Sequence, residues 1–82
     1  MAFGYYDSNT NTLYINSKIV SPDLSKVPMK SRMALLTRVM KMPINDRIKS
    51  YANDAQRKMI QCEMDKHPGC NVVEYIEPRC GI

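Results

Sequence analysis

Near the N-terminus the hydrophobic positions follow the two-residue period of a β-strand. The aromatic residues of 3–6 favour extended backbone, as does the Thr-Leu-Tyr-Ile run that holds Leu13 and Ile15 on one face. Between these runs, residues 7–11 are all turn formers, whose side chains hydrogen-bond to the nearby backbone. We therefore predict a β-hairpin within residues 3–20.

From residue 29 the hydrophobic period becomes that of an α-helix. Pro28 suits the start of a helix and Pro43 ends one, which predicts a helix over residues 29–41 after a single helical turn at 22–26. One apolar arc of about 60° holds Met29, Met33, Leu36 and Met40, and a second arc holds Leu35, Val39 and Met42. We expect four methionines to be core residues, namely Met29, Met33, Met40 and Met59.

A second helix is predicted over residues 44–66, with Asn45 as its cap and residues 67–69 as its stop. If the helix is continuous, its inward stripe comprises Ile44, Ile48, Tyr51, Ala52, Ala55, Met59 and Cys62. Ile60 and Met64 fall outside that stripe, on the polar back of the helix. We therefore expect these two side chains to be exposed.

Residues 70–77 alternate again and predict a third strand, which Pro78 ends. The element order is then β-β-α-α-β in a single α+β domain over residues 1–82, with residues 79–82 as a short C-terminal tail. A hairpin alone is marginal in water, so the other elements must cover it. The simplest architecture is a three-stranded antiparallel sheet with both amphipathic helices packed on one face.

Composition agrees with a small globular domain. The chain has 82 residues, of which 44% are hydrophobic and 24% charged, and it has room for one core but little room for a deep substrate pocket. It opens without a secretory signal and contains no apolar run near the ~20 residues of a membrane span. The odd number of cysteines argues against a disulfide framework. We expect a cytoplasmic protein with no membrane partner.

No catalytic signature is present. The chain lacks a glycine-rich phosphate loop, a His-Glu-x-x-His metalloprotease motif and a nucleophile elbow, and its three glycines are isolated. The acidic residues of the second helix alternate with basic ones, as on a solvated helix surface. We therefore predict a protein that is not an enzyme and needs no cofactor.

The cysteines and the only histidine offer a weak metal-binding pattern. Cys62, His67, Cys70 and Cys80 lie within 19 residues and carry ligand types that zinc accepts. Their spacing lacks the paired Cys-x-x-Cys knuckle of structural zinc sites. The simpler interpretation is a small core residue at Cys62, a helix-terminal cation at His67 and a thiol in the tail. We predict no metal.

An exposed apolar pair beside basic residues favours a protein-binding module. We predict an accessory or inhibitor-like protein that docks on a larger host protein, a type frequent among phage and mobile-element proteins, although this is an analogy of class. The expected partner-binding residues are Ile60, Met64, Lys30, Arg38 and Lys41. A second copy of the chain is an alternative partner.

The alternative hypothesis is a regulator that binds nucleic acid. The formal net charge of +4 would attract phosphates, and tyrosines on the hairpin have ring faces on which bases can stack. The residues that would do this are Lys26, Lys30, Arg38, Lys41, Tyr5 and Tyr14. The joint between the helices does not have the glycine usual in a helix-turn-helix turn.

Overall fold

The computed structural model describes residues 3–76 and has an α+β fold, as predicted, with three helices where the sequence predicted two. Two short 3₁₀ helices follow the hairpin. The elements in chain order are β1 (Gly4–Asp7), β2 (Thr12–Asn16), the 3₁₀ helices Ser17–Val20 and Leu24–Lys26, α1 (Met29–Met40), α2 (Ile44–Tyr51), α3 (Asp54–Lys66) and β3 (Asn71–Tyr75).

The hairpin is confirmed, and its turn residues act as the sequence indicated. The Asp7 carboxylate accepts a hydrogen bond from the backbone N–H of Asn9 at 2.9 Å, and Asn11 adopts the left-handed conformation with φ 51°. The β1 and β2 strands pair in antiparallel fashion from Gly4 opposite Ile15 onward. Gly4 is required there, because a Cβ atom would lie 1.9 Å from the carbonyl oxygen of Tyr14.

The sheet is mixed, and the prediction of a purely antiparallel sheet was wrong. The strand order is β1-β2-β3, and β3 pairs with β2 in parallel. The chain reaches β3 from the hairpin-turn end, where the N–H of Asn71 donates to the carbonyl of Asn11 at 2.9 Å. The His67 ring, at the end of α3, stacks on Tyr6 with centroids 3.5 Å apart. Since α3 ends beside the hairpin turn, β3 has to run alongside β2 in the same direction.

The predicted second helix is broken at Ala52 and Asn53, whose extended backbones separate α2 from α3. Asn53 caps α3 through a capping box: its side chain accepts from the N–H of Gln56 at 2.8 Å, and the Gln56 side chain accepts from the N–H of Asn53 at 2.9 Å. The guanidinium of Arg57 donates to the carbonyl of Ala52. Asn45, predicted as a cap, lies in the first turn of α2 and makes no capping bond.

The core lies between the inner face of the sheet and the helices α2 and α3. It comprises Leu13, Ile15, Ile19, Val20, Ile48, Ala52 and Ile60, with Phe3, Tyr6, Ile44, Met64, Cys70 and Val72 partly buried against it. The break shifts the helical phase, so residues after it do not follow the stripe expected for one continuous helix. Ala55, Met59 and Cys62 are accordingly exposed, contrary to prediction.

A buried ion pair joins α2 to β3 next to this core. The Arg47 side chain is 4% exposed and forms a two-point pair with the carboxylate of Glu74. Its Nε donates to the carbonyl of Val20 at 3.0 Å, and its second terminal nitrogen also donates to Ser21 Oγ at 3.2 Å. Four bonds therefore satisfy this guanidinium and fix α2 against both the first 3₁₀ helix and β3.

Candidate interaction surface

The helix α1 lies between two prolines and contacts the rest of the domain on one side only. Pro28 precedes its first turn, as predicted, and Pro43, predicted to end the helix, lies three residues after its last residue and caps the start of α2. Val39 is the one residue of α1 that is fully buried, with Leu35 and Leu36 half-buried beside it. The second of the two predicted apolar arcs is therefore the one that faces inward.

The other arc faces solvent and exposes three methionines, which we call the methionine stripe. Met29, Met33 and Met40 are 76%, 73% and 62% exposed, so the prediction that they are core residues was wrong. Both arcs of α1 are apolar, and the domain covers only the arc that contains Val39. Unbranched, polarisable methionine side chains suit a surface that adapts its shape to a partner.

The part of the sequence that contains the methionine stripe is basic. Residues 24–45, which we call the basic segment, contain no acidic residue and five basic ones: Lys26, Lys30, Arg32, Arg38 and Lys41. The four that the sequence singled out, Lys26, Lys30, Arg38 and Lys41, are all exposed. None of the ion pairs found in residues 3–76 involves any of these cations.

Two polar side chains on either side of the start of α1, Asp23 and Arg32, are held in place by local hydrogen bonds. Asp23, just before the basic segment, accepts from the backbone N–H of Ser25 at 2.9 Å, and this bond lowers the pKa of its carboxyl. Asp23 therefore caps the second 3₁₀ helix. Arg32 donates from Nε to the carbonyl of Val27 at 3.0 Å, which ties α1 to the residue before Pro28.

A groove of about 510 Å³ continues the apolar surface from α1 to the end of β3. Leu36, Met40 and Ile76 supply its apolar lining, and Ile76 is 81% exposed. Ser17, Ser21 and the Arg47–Glu74 pair complete the lining. Part of the methionine stripe therefore borders a concave surface as well as open solvent.

A tyrosine cluster lies on the outer face of the sheet, which the helices leave uncovered. Each strand contributes one ring. Tyr5 stacks on Tyr14 with centroids 4.9 Å apart, and Tyr75 meets Tyr5 edge-on at 5.3 Å. The sequence singled out Tyr5 and Tyr14, and the parallel register of β3 adds Tyr75 to them.

The apolar pair predicted to dock on a partner does not form an exposed surface. Ile60 is 1% exposed and belongs to the core, and Met64 is half-buried against that core. The prediction that they lie on a wet helix back was wrong, because it projected residues 44–66 onto one unbroken helix. The capping-box pattern Asn-x-x-Gln at Asn53 was the sequence signal that marks the break.

The candidate zinc ligands do not gather among the described residues. Within residues 3–76, no group of three or more His, Cys, Asp or Glu side chains is placed to hold a metal ion. Cys62 is exposed on α3, whereas Cys70 is half-buried against the core. His67 stacks on Tyr6, and Cys80 lies outside the described residues.

Comparisons with protein-family models, with curated proteins and with solved structures give no match for this chain. The helices within residues 3–76 include none with the length and apolar character needed to cross a bilayer.

Proposed function

We propose that this protein is a small non-catalytic binding module that docks on a larger protein through the methionine stripe of α1, as an accessory or inhibitor-like factor. The observation that carries the proposal is the exposure of Met29, Met33 and Met40 on one line of one helix. Exposed apolar residues are common singly, whereas a contiguous apolar surface rimmed by polar groups is typical of an interaction site.

The way α1 is held supports this proposal. Its inward side is anchored at Val39, and its first turn is tied through Arg32 to Val27, so the helix is already formed before any partner binds. Because the helix is already ordered, binding does not incur the conformational entropy cost of ordering it. Helices that present apolar residues at spacings of three, four and seven are one of the recurring recognition modes between proteins.

Replacing two residues of the stripe tests the proposal. Met33→Glu together with Met40→Glu should leave the circular dichroism spectrum and unfolding midpoint nearly unchanged, because both side chains are largely exposed. The same change should abolish capture of partner proteins, because it places carboxylates in the apolar contact. The measurement is quantitative mass spectrometry after affinity purification from host-cell lysate, with nuclease present.

The matched control is Met59→Glu, at a methionine that is 49% exposed on α3, outside the methionine stripe. This variant should capture the same proteins as the unaltered chain. Equal capture by all three proteins would contradict the proposal, because specific binding through α1 requires a loss confined to the double variant.

Binding to single-stranded nucleic acid is a second candidate, favoured by the tyrosine cluster on the open sheet face. Tyr5 is 53% exposed, and a ring of this kind can stack on a base of any sequence. Two features weigh against it. The three rings already contact one another, and the outermost line of α1 carries methionines where phosphate contacts would need cations.

Salt titration with a labelled single-stranded oligonucleotide tests this second candidate. Binding through phosphates should weaken by orders of magnitude between about 50 and 200 mM salt. It should also weaken in Tyr5→Ala, which removes a stacking ring. The absence of binding at 50 mM salt would exclude the candidate.

A further inference from the structure

We infer that the partner of the methionine stripe is an acidic protein surface with an apolar groove that receives α1. This inference rests on the proposed function and names the chemistry of the partner. Its basis is the separation of charge between the basic segment and the rest of the chain, together with the kind of apolar residue that α1 exposes.

The charge of the chain is concentrated around the proposed site. Five of the 12 basic residues lie in the basic segment with no acidic residue among them, and the other seven are slightly outnumbered by the 8 acidic residues. The positive excess of the whole chain therefore comes from this segment. A partner of complementary charge has to present carboxylates, which would also accelerate association.

The exposed cations lie to one side of the stripe, which determines where the partner needs negative charge. At about 100° per residue, Lys30 and Lys41 project roughly 80–100° to that side of the middle of the stripe. Arg32 lies about 80° to the other side, close to the direction of the buried Val39, and its Nε donates to the carbonyl of Val27. The complementary surface is an apolar channel about 18 Å long, the length of a 12-residue helix, with carboxylates along the rim next to Lys30 and Lys41.

The apolar residues of α1 favour a protein groove over a lipid surface. Helices that lie on membranes carry Trp, Phe and Leu on the buried face. The exposed line of α1 has no aromatic residue; of its branched apolar side chains, Leu35 and Val39 are turned toward the domain and Leu36 is half-buried beside the groove. What remains for a partner is a narrow line of flexible methionines, which suits a groove with irregular walls.

A second copy of this chain is a poor occupant for electrostatic reasons. Two basic segments brought side by side would place like charges in contact, and neither would contribute a carboxylate. The groove beside Met40 also ends at Ile76 and the Arg47–Glu74 pair, whose charges already satisfy each other. Since no ion pair within residues 3–76 involves the basic segment, its cations favour carboxylates from a different molecule.

Site-directed photo-crosslinking tests the inference in the full chain, expressed in its own host cell. A photoreactive residue replaces Met33, and a matched variant carries it at Met59 on α3. We expect the Met33 position, and not Met59, to crosslink to a protein at an apolar groove bordered by Asp and Glu residues. With that partner purified, Lys30→Glu plus Lys41→Glu should lower the association rate constant at least about tenfold at low salt.

The outcomes separate the two proposals. Crosslinks to a protein surface without carboxylates, or an unchanged association rate in the charge-reversed variant, would overturn the acidic groove and leave the protein-binding function standing. No protein crosslink at Met33 above the Met59 level would overturn both. Sedimentation with phosphatidylserine vesicles, lost in Met33→Glu, would assign the stripe to a membrane surface and also overturn both.

Discussion

Arg47 is a charged residue in the interior, and its neighbours explain why it is tolerated there. The guanidinium makes four hydrogen bonds, to Val20, Ser21 and both oxygens of Glu74. A buried cation without such partners would be strongly unfavourable, so each of these bonds compensates for lost hydration. Nothing in the alternation of polar and apolar residues distinguishes Arg47 from the exposed cations around it.

Arg47→Met should destabilise the fold by about 3 kcal/mol, because it removes one partner of a buried ion pair and leaves the Glu74 carboxylate without its counterion. We expect the value at the lower end of the range for such changes, since the Glu74 side chain is 23% exposed and can be partly hydrated. Urea unfolding followed by circular dichroism measures the change in free energy of unfolding.

Lys66→Met serves as the control at a surface pair. Lys66 donates to Glu63 at 3.0 Å, which raises the pKa of the lysine, but the Lys66 side chain is 62% exposed. Water can replace this partner, so the unfolding midpoint should change little. If both variants lose the same free energy of unfolding, the buried Arg47–Glu74 pair contributes no more to stability than the exposed Lys66–Glu63 pair.

Among the elements, the break between α2 and α3 decides which residues form the core. Ala52 and Asn53 interrupt the helical backbone, and the following residues rotate so that Ile60 reaches the interior while Met59 and Cys62 do not. A helical wheel that treats residues 44–66 as one continuous helix places Ile60 outside and Met59 and Cys62 inside. The break is stabilised locally, by Asn53, Gln56 and Arg57, and could have been predicted from the capping-box pattern.

Asn53→Ala should lower the free energy of unfolding by about 1 kcal/mol, the usual effect of losing a helix cap. Asn45→Ala is the matched control: Asn45 is exposed, lies in the first turn of α2 and makes no capping bond, so its loss should be nearly neutral. Thermal unfolding of both variants measures the difference. If Asn45→Ala is the more destabilising of the two, residues 44–66 follow the unbroken helix with its cap at Asn45.

For the helix α1, the bounds can be predicted from the sequence but the orientation cannot. Its bounds follow from two prolines and agree closely with the predicted residues 29–41. Its orientation does not follow from sequence, because both apolar arcs satisfy the helical period. The choice depends on which arc the rest of the domain covers, and this is the arc that contains Val39.

At the scale of the whole molecule, packing and charge divide the chain into two parts. The sheet with α2 and α3 forms the core, and acidic residues slightly outnumber basic ones outside the basic segment. The basic segment carries the positive excess and the methionine stripe. Charge of one sign near a single apolar surface steers a partner toward that surface, which is why both proposals concern α1.

Among the predicted site residues, the basic ones are exposed as expected, whereas the apolar ones are not. Lys30, Arg38 and Lys41 are exposed on or next to α1, as expected from the polar side of that helix. Ile60 and Met64 turn inward, and the methionines expected inside turn outward. Charged side chains are exposed in almost any arrangement, whereas the exposure of an apolar side chain depends on which face of its element is covered by the rest of the domain.

The sequence by itself determined the hairpin, the turn chemistry of residues 7–11, the location of the third strand and the bounds of α1, because each follows from a local pattern of residue types along the chain. Only the tertiary structure decided the parallel direction of β3 and the exposure of the methionine stripe. The direction of β3 depends on where α3 ends, beside the hairpin turn, and the exposure of the stripe depends on which face of α1 competes successfully for one small core. That competition is settled between residues far apart in sequence, where local periodicity carries no information.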